Sequence, residues 1–154
     1  MIEEKAGYYF ENGFHCAEAV AAAVLEELGE DSSSAVAHAT AFGGGFGRTF
    51  DEACGAISGS LIVIGHFYGR CEPGKGWDVP ATLAATIRQT FLDHFGTSHC
   101  ATLRERFGEE MQPEKCCSIV KQVAADLVEL LAKTSADVEE SCCRKEGRIK
   151  KMQL

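Results

Sequence analysis

Cysteine is the residue type through which this chain could do chemistry, and four of its eight cysteines stand in matching places. Cys16, Cys54, Cys100 and Cys116 each fall in or near the first turn of an expected helix, shortly after the start signals Gly13, Asp51, Ser98 and Pro113. Backbone N–H groups at a helix start have no intrahelical acceptor and favour negative charge, by roughly 0.3–1 kcal/mol near the surface. A thiolate placed there gains that stabilisation, so its pKa is expected to fall and its power as nucleophile or metal ligand to rise. Four such starts turned toward one centre would suit an anionic iron–sulfur cluster or a reactive dithiol pair. Spacing alone does not choose between them. The chain has no Cys-x-x-Cys, so neither a thioredoxin motif nor a ferredoxin run or zinc ribbon is encoded. Buried cysteine acting as a small hydrophobe is the plain alternative.

The elements that must carry these cysteines read as helices. Apolar spacing is helical nearly throughout, and runs of alternating β-branched residues are missing. The expected fold is all-α, a compact single-domain bundle of about six to seven helices over residues 1–134, followed by a charged tail, 135–154. Helices are expected at about Ile2 to Glu11, His15 to Leu28, with alanines on its core-facing stripe, and Ser33 to Ala41. Asp51 is the expected cap of a fourth, about Glu52 to Tyr68, and Asp78 of a fifth, with Pro80 in its first turn, ending at Phe95 before Gly96. Ser98 opens a short helix to Phe107. Pro113 opens the last, to Lys133, with Ile119, Val120, Val123, Leu127, Leu130 and Leu131 facing inward. Between the third and fourth lies Gly43-Gly44-Gly45-Phe46-Gly47, nearly free of side chains. In the fourth, Gly55/Gly59 and Gly65/Gly69 recur at i,i+4. A glycine inside a helix costs roughly 1 kcal/mol against alanine, so another backbone or a bulky group is expected close to that face.

Other residues carry less. The glycine loop lacks the Gly-Lys-Ser/Thr ending of a phosphate cradle and reads as a tight turn allowing close approach to Cys54. His15 and His99 each precede one of the four cysteines. Adjacent residues do not share a helix face, so a simple His–Cys chelate is not expected; thiolate tuning or a non-cysteine ligand is the alternative. His38, His66 and His94 read as helix-face or satisfied core histidines. Cys71 falls in a loop. Cys142 and Cys143 are vicinal in a basic tail that reads as a solvated terminus.

Composition narrows the class. A formal net charge of -8 argues against binding to a nucleic-acid backbone. The first residues lack a basic n-region, an apolar stretch and twin arginines, and the longest uncharged stretch, Ala53 to Gly69, is short and rich in glycine. The chain therefore reads as cytoplasmic, where surplus cysteine points to metal binding or thiol chemistry more than to structural bridges.

Five segments in order carry a family resemblance. They are Gly13-Phe-His-Cys-Ala-Glu-Ala-Val20, Phe42-Gly-Gly-Gly-Phe-Gly-Arg48, Cys54-Gly-Ala-Ile-Ser-Gly59, Gly96-Thr-Ser-His-Cys-Ala-Thr-Leu103 and Cys116-Cys-Ser-Ile-Val120. Together the chain resembles the redox-active family named for its C-GCAxxG-C-C cysteine pattern, also described by a CGAxxG motif, over about residues 5 to 132. The resemblance implies an all-helical fold and four family cysteines mapping onto Cys16, Cys54, Cys100 and Cys116. Cys117 is the alternate for the fourth; Cys116 is preferred because Val120 then stands four residues on. Similarity to a domain of split-Soret cytochromes implies an iron–sulfur centre; no Cys-x-x-Cys-His is present, so no covalent haem is implied. The leading expectation is an electron-transfer protein in which these four cysteines are ligands of an iron–sulfur cluster. Gly44, Gly45, Gly55 and Gly59 would then let backbone N–H groups approach its sulfurs. Thiol–disulfide exchange through two reversible pairs, and a structural zinc or interaction module, are the alternatives. A redox partner protein is expected, with a homodimer left open and neither nucleic acid nor membrane as a partner. No acid–base pair, nucleophile triad or nucleotide site stands out, so no enzyme is assigned.

Overall fold

The structure, a computed structural model, describes residues 1–135; the vicinal Cys142 and Cys143 and the basic tail lie outside the described residues. Among the described residues there are seven α-helices and one 3-10 turn: α1 Ile2–Glu11, α2 Cys16–Glu27, α3 Ser33–Ala39, the turn Thr40–Phe42, α4 Gly55–Tyr68, α5 Asp78–Phe95, α6 Cys100–Phe107 and α7 Gln112–Ser135. The expected all-α bundle is what forms.

Its centre is α2. Ala17 through Leu25 are all buried, so the helix has no solvent stripe, where the sequence had suggested a single core-facing one. A helix that is small and apolar all round can be enclosed on every side, and α1, α3, α4 and α7 all pack on it. The closest partner is α4, itself buried from Gly55 through Ser60. Outside this pair, α5 turns Leu83, Ile87 and Phe91 inward at every fourth position. From α7, Ile119, Val120, Val123, Leu127 and Leu131 enter the core as expected, while Leu130 is only partly buried.

The glycine pairs of α4 behave unequally. A Cβ at Gly59 would collide with the Ala17 carbonyl, and one at Gly55 would come within 3.1 Å of the Ala17 nitrogen and Cys16 Cβ. These two glycines let α4 close on the start of α2. Gly65 faces open space, and Gly69 is the C-terminal cap rather than a helix residue. The expected close approach therefore belongs to the first pair alone.

Two helix starts differ from expectation, for one physical reason. The α4 helix begins at Gly55 rather than Glu52, and α6 at Cys100, because the residues before each pair with one another. Ala53 and His99 form an isolated antiparallel bridge. Cys54 N–H donates to Ser98 O (2.7 Å), Cys100 N–H to Glu52 O (2.9 Å) and Ala101 N–H to Phe50 O (2.8 Å). Backbone groups spent on this ladder cannot also extend the helices. Asp51 consequently caps nothing; Cys54 itself is the N-cap of α4, and Trp77 rather than Asp78 that of α5.

Candidate functional site

That short ladder lays the start of α4 beside the start of α6 and so brings Cys54 to Cys100. Closure of α4 on α2 brings Cys16 to Cys54. The fourth cysteine, Cys116, is the fifth residue of α7, one turn in from its start. Cys16, Cys54, Cys100, Cys116 and Cys117 are free thiols.

Electrostatics shows that the four share one neighbourhood. Cys16 hydrogen-bonds to Cys54, which holds its pKa well above the usual thiol value; burial and the charges of Cys54, Cys116 and Cys100 push the same way. Cys54 moves in the opposite direction. The hydrogen bond from Cys16 lowers its pKa most, against burial, and the N–H groups of Ala56 and Ile57 at the start of α4 add to the lowering. Cys100 is pushed up to about 11, by burial first and then by the charges of Cys54 and Cys116, with Arg104 opposing. Burial and the Cys54 charge likewise raise Cys116, again against Arg104. Helix starts were expected to depress all four thiols. Only Cys54 follows: at Cys16 the hydrogen bond to Cys54 comes first, and at Cys100 and Cys116 burial and then the Cys54 charge outweigh about 1 kcal/mol of dipole. As built, Cys54 is the favoured thiolate and Cys16 the thiol that donates to it.

Cys116 and Cys117 point to different surroundings. Cys117 is buried and its Sγ donates to Glu11 Oε1 at 3.5 Å, on the side where Lys121 pairs with Glu11. Cys116, by contrast, feels Cys54 and Arg104. Adjacent positions on a helix lie about 100° apart, so one of the two had to turn away.

The glycine loop forms a wall of this neighbourhood. Gly44, Gly45, Phe46, Gly47 and Arg48 all have φ between +58° and +66°, a left-handed turn, and Phe50 follows at +62°. Phe46 and Phe50 are bulky residues in a region that costs of order 1–3 kcal/mol each. The turn is held by Gly47 N–H to Ala41 O (3.0 Å), Phe50 N–H to Gly44 O (3.0 Å) and Thr49 Oγ1 to Gly45 O (2.6 Å). At Gly45 a side chain is excluded twice, by its positive φ and by Cys100 Cβ, which an added Cβ would meet at 2.8 Å. The loop was expected to press on Cys54. It presses instead on Cys100, through Gly45, and on His15, through Gly43.

The histidines serve as structure. His99 caps α6: its Nδ1 accepts from Thr102 N–H, and its Nε2 lies 3.0 Å from Asp51 O. Both ring nitrogens are engaged, which leaves no lone pair for a ligand role. His15 is the N-cap of α2, and its N–H donates to Glu18 Oε2 at 2.9 Å. His66 pairs with Glu30 and His94 with Asp126, each at 3.3 Å.

Three residues of the site carried no signal at the level of motif. Glu18, only 7% exposed, accepts from His15 N–H on one oxygen and from Thr40 Oγ1 (2.8 Å) on the other. It thereby ties the start of α2 to the turn that leads into the glycine loop. Phe50 and Arg104 stand beside Cys100, and the spacing of four between Cys100 and Arg104 was the available clue. Among the described residues no three His, Cys, Asp or Glu side chains are grouped so as to hold a single metal ion. No described helix is long and apolar enough to cross a membrane.

Comparison with known proteins agrees with the cysteine pattern. No curated protein and no solved structure matches the chain. Residues 14–130, a span that starts just before Cys16 and closes beyond Cys116, match the family described as "Putative redox-active protein (C_GCAxxG_C_C)", and the chain belongs to that family.

Proposed function

We propose that this redox-family chain is an electron-transfer protein in which Cys16, Cys54, Cys100 and Cys116 hold an iron–sulfur cluster. One observation carries the reading: four free thiols, brought in by four different helices, act on one another electrostatically around Cys54. The donor set is chemically right, because iron–sulfur clusters are held by cysteine thiolates. The surroundings also fit, since Gly45 and Gly55 keep bulk away from Cys100 and Cys16. Among the described residues no three donors are grouped to hold a metal ion, so the reading rests on the donor chemistry and on the mutual influence of the four thiols. When bound, such a group supplies a one-electron couple. The protein's part is to provide the thiolates, to limit solvent and to set the potential through backbone N–H groups and nearby charge. An electron donor or acceptor protein is then the implied partner.

The hydrogen-bonded Cys16–Cys54 pair favours a second reading, thiol–disulfide exchange. Loss of two protons and two electrons from that pair to an external disulfide would form the Cys16–Cys54 bond and release two external thiols. Strictly anaerobic purification, followed by iron, sulfide and zinc analysis and a visible spectrum, separates the two. The cluster reading expects iron and sulfide together, lost in Cys54→Ser and kept in Cys117→Ser and in Cys142→Ser. Protein kept anaerobic throughout, free of iron and readily forming the Cys16–Cys54 disulfide, would overturn it in favour of exchange.

A further inference from the structure

Arg104 stands next to the cysteines with its charge unspent. It lies four residues after Cys100 on α6, hence on the same face one turn along. Its guanidinium carbon sits 3.9 Å from the centroid of the Phe50 ring. Phe50 is itself fastened to the site. Its carbonyl accepts from Ala101 N–H, and its Cα packs where a Cβ on Gly45 would go, beside Cys100 Cβ. The backbone carbonyl of Arg104 accepts from Gln112 Nε2 at 3.4 Å, which links α6 to the first turn of α7, one turn before Cys116. Among the described residues no carboxylate is within ion-pairing distance of Arg104. Glu105 and Glu109 share with it only the rim of an open cavity of about 390 Å³ that Phe50, Ala101 and Gln112 also line.

We propose that Arg104, held over Phe50 between the Cys100 and Cys116 segments, is the positioning cation of the cysteine centre: it offsets the centre's negative charge and draws anionic reactants to it. The assignment rests on the reading of the four cysteines as a redox centre, though not on what they bind. A guanidinium stacked on an aromatic face is oriented without being neutralised, which a salt bridge would not allow. Its field therefore remains available to the thiolates and to an approaching anion.

The test compares two disulfides on the reduced, metal-free full-length chain: dithiobis(nitrobenzoate), a dianion, and dithiodipyridine, which is uncharged. In both reactions a cysteine thiolate attacks one reagent sulfur, forms a mixed disulfide and releases the other half as a thiolate. Adducts at Cys100 and Cys116 are assigned by mass spectrometry. Taking the ratio of the two rates cancels thiol ionisation and accessibility to first order. Arg104→Gln is expected to lower the dianion-to-neutral ratio about fivefold at low salt, the scale of one screened contact between opposite charges. Arg104→Lys should retain most of the ratio, and Phe50→Leu, which frees the guanidinium, should lower it partway. Salt should bring the wild-type and Arg104→Gln ratios together, because screening weakens the Arg104 field that separates them. An unchanged ratio in Arg104→Gln, or an equal loss in Arg104→Lys, would overturn the proposal. A second readout uses anaerobically purified protein, where the midpoint potential should fall in Arg104→Gln and hold in Arg104→Lys. Absence of iron there would count against the cluster alone, since the rate ratio still judges Arg104.

Discussion

Gly59→Ala and Gly65→Ala make the same chemical change on the same face-to-face helix, α4, and should act in opposite directions. In a helix interior the change from glycine to alanine is worth about 1 kcal/mol of stabilisation, because the unfolded chain loses freedom and the helix keeps its backbone. At Gly65 nothing lies within 4 Å of the added Cβ, so that gain should be realised nearly in full. At Gly59 the new methyl would be driven into the Ala17 carbonyl of α2. That obstacle is backbone in the most enclosed helix of the fold and cannot swing aside as a side-chain tip would. Overpacking of this kind costs typically 1–3 kcal/mol, and a rigid neighbour puts it toward the upper end. Net, Gly59→Ala should lose about 1–2 kcal/mol while Gly65→Ala gains up to about 1 kcal/mol. For a chain of this size each kcal/mol moves the melting temperature by roughly 2–4 °C, so the variants should fall on opposite sides of wild type. Urea denaturation of both variants under reducing conditions gives the difference, with the slope checked for constancy. Because Ala17 follows Cys16, Gly59→Ala should also weaken the Cys16–Cys54 pairing, seen as slower formation of their disulfide. If Gly59→Ala proves as stabilising as Gly65→Ala, α4 does not close on α2 at this point and the account of how Cys16 reaches Cys54 fails.

Other perturbations test the supports of the site. Glu18→Ala should cost about 1–2 kcal/mol, because the His15 N–H loses its acceptor while the Thr40 hydroxyl keeps only Val36 O. Glu18→Gln, which keeps one acceptor oxygen, should lose less; equal losses in denaturant titrations would contradict the dual hydrogen bond. Tyr9, whose hydroxyl donates to Glu26 Oε2 at 2.6 Å, has its pKa raised to about 12 by that bond first, then by burial and the Glu26 charge. Its folded value lies above the unfolded one, so its contribution to stability is complete below pH 10.0 and is lost as pH rises toward about 12. Ultraviolet titration should show a late ionisation step that Tyr9→Phe removes.

Helix content was legible in the sequence because it is local. The 3.6-residue periodicity of α7, the caps of glycine or asparagine after α1, α2 and α5, and the alanine-rich α2 are all written within a dozen residues of where they act. Cysteine positions were legible for the same reason, as residues near helix starts. The sequence did not disclose how the starts are turned toward one another. Asp51 looked like a local cap for α4, yet the residues around it pair with Ser98 to Ala101, a contact between segments nearly fifty residues apart. The glycine loop announced a tight turn but not its target, Cys100 rather than Cys54. Thiol ionisation was misjudged in part, since the dipole of a helix start is a local property whereas burial and repulsion among four sulfurs exist only after folding. By itself the sequence determined an all-helical chain with cysteines at its helix starts. Only the tertiary structure decided that Cys116 and not Cys117 faces the other three, that Cys54 is the thiol whose pKa is lowered and that Arg104 stands beside them. Each of these depends on which face of one helix meets which end of another, and no local propensity encodes that.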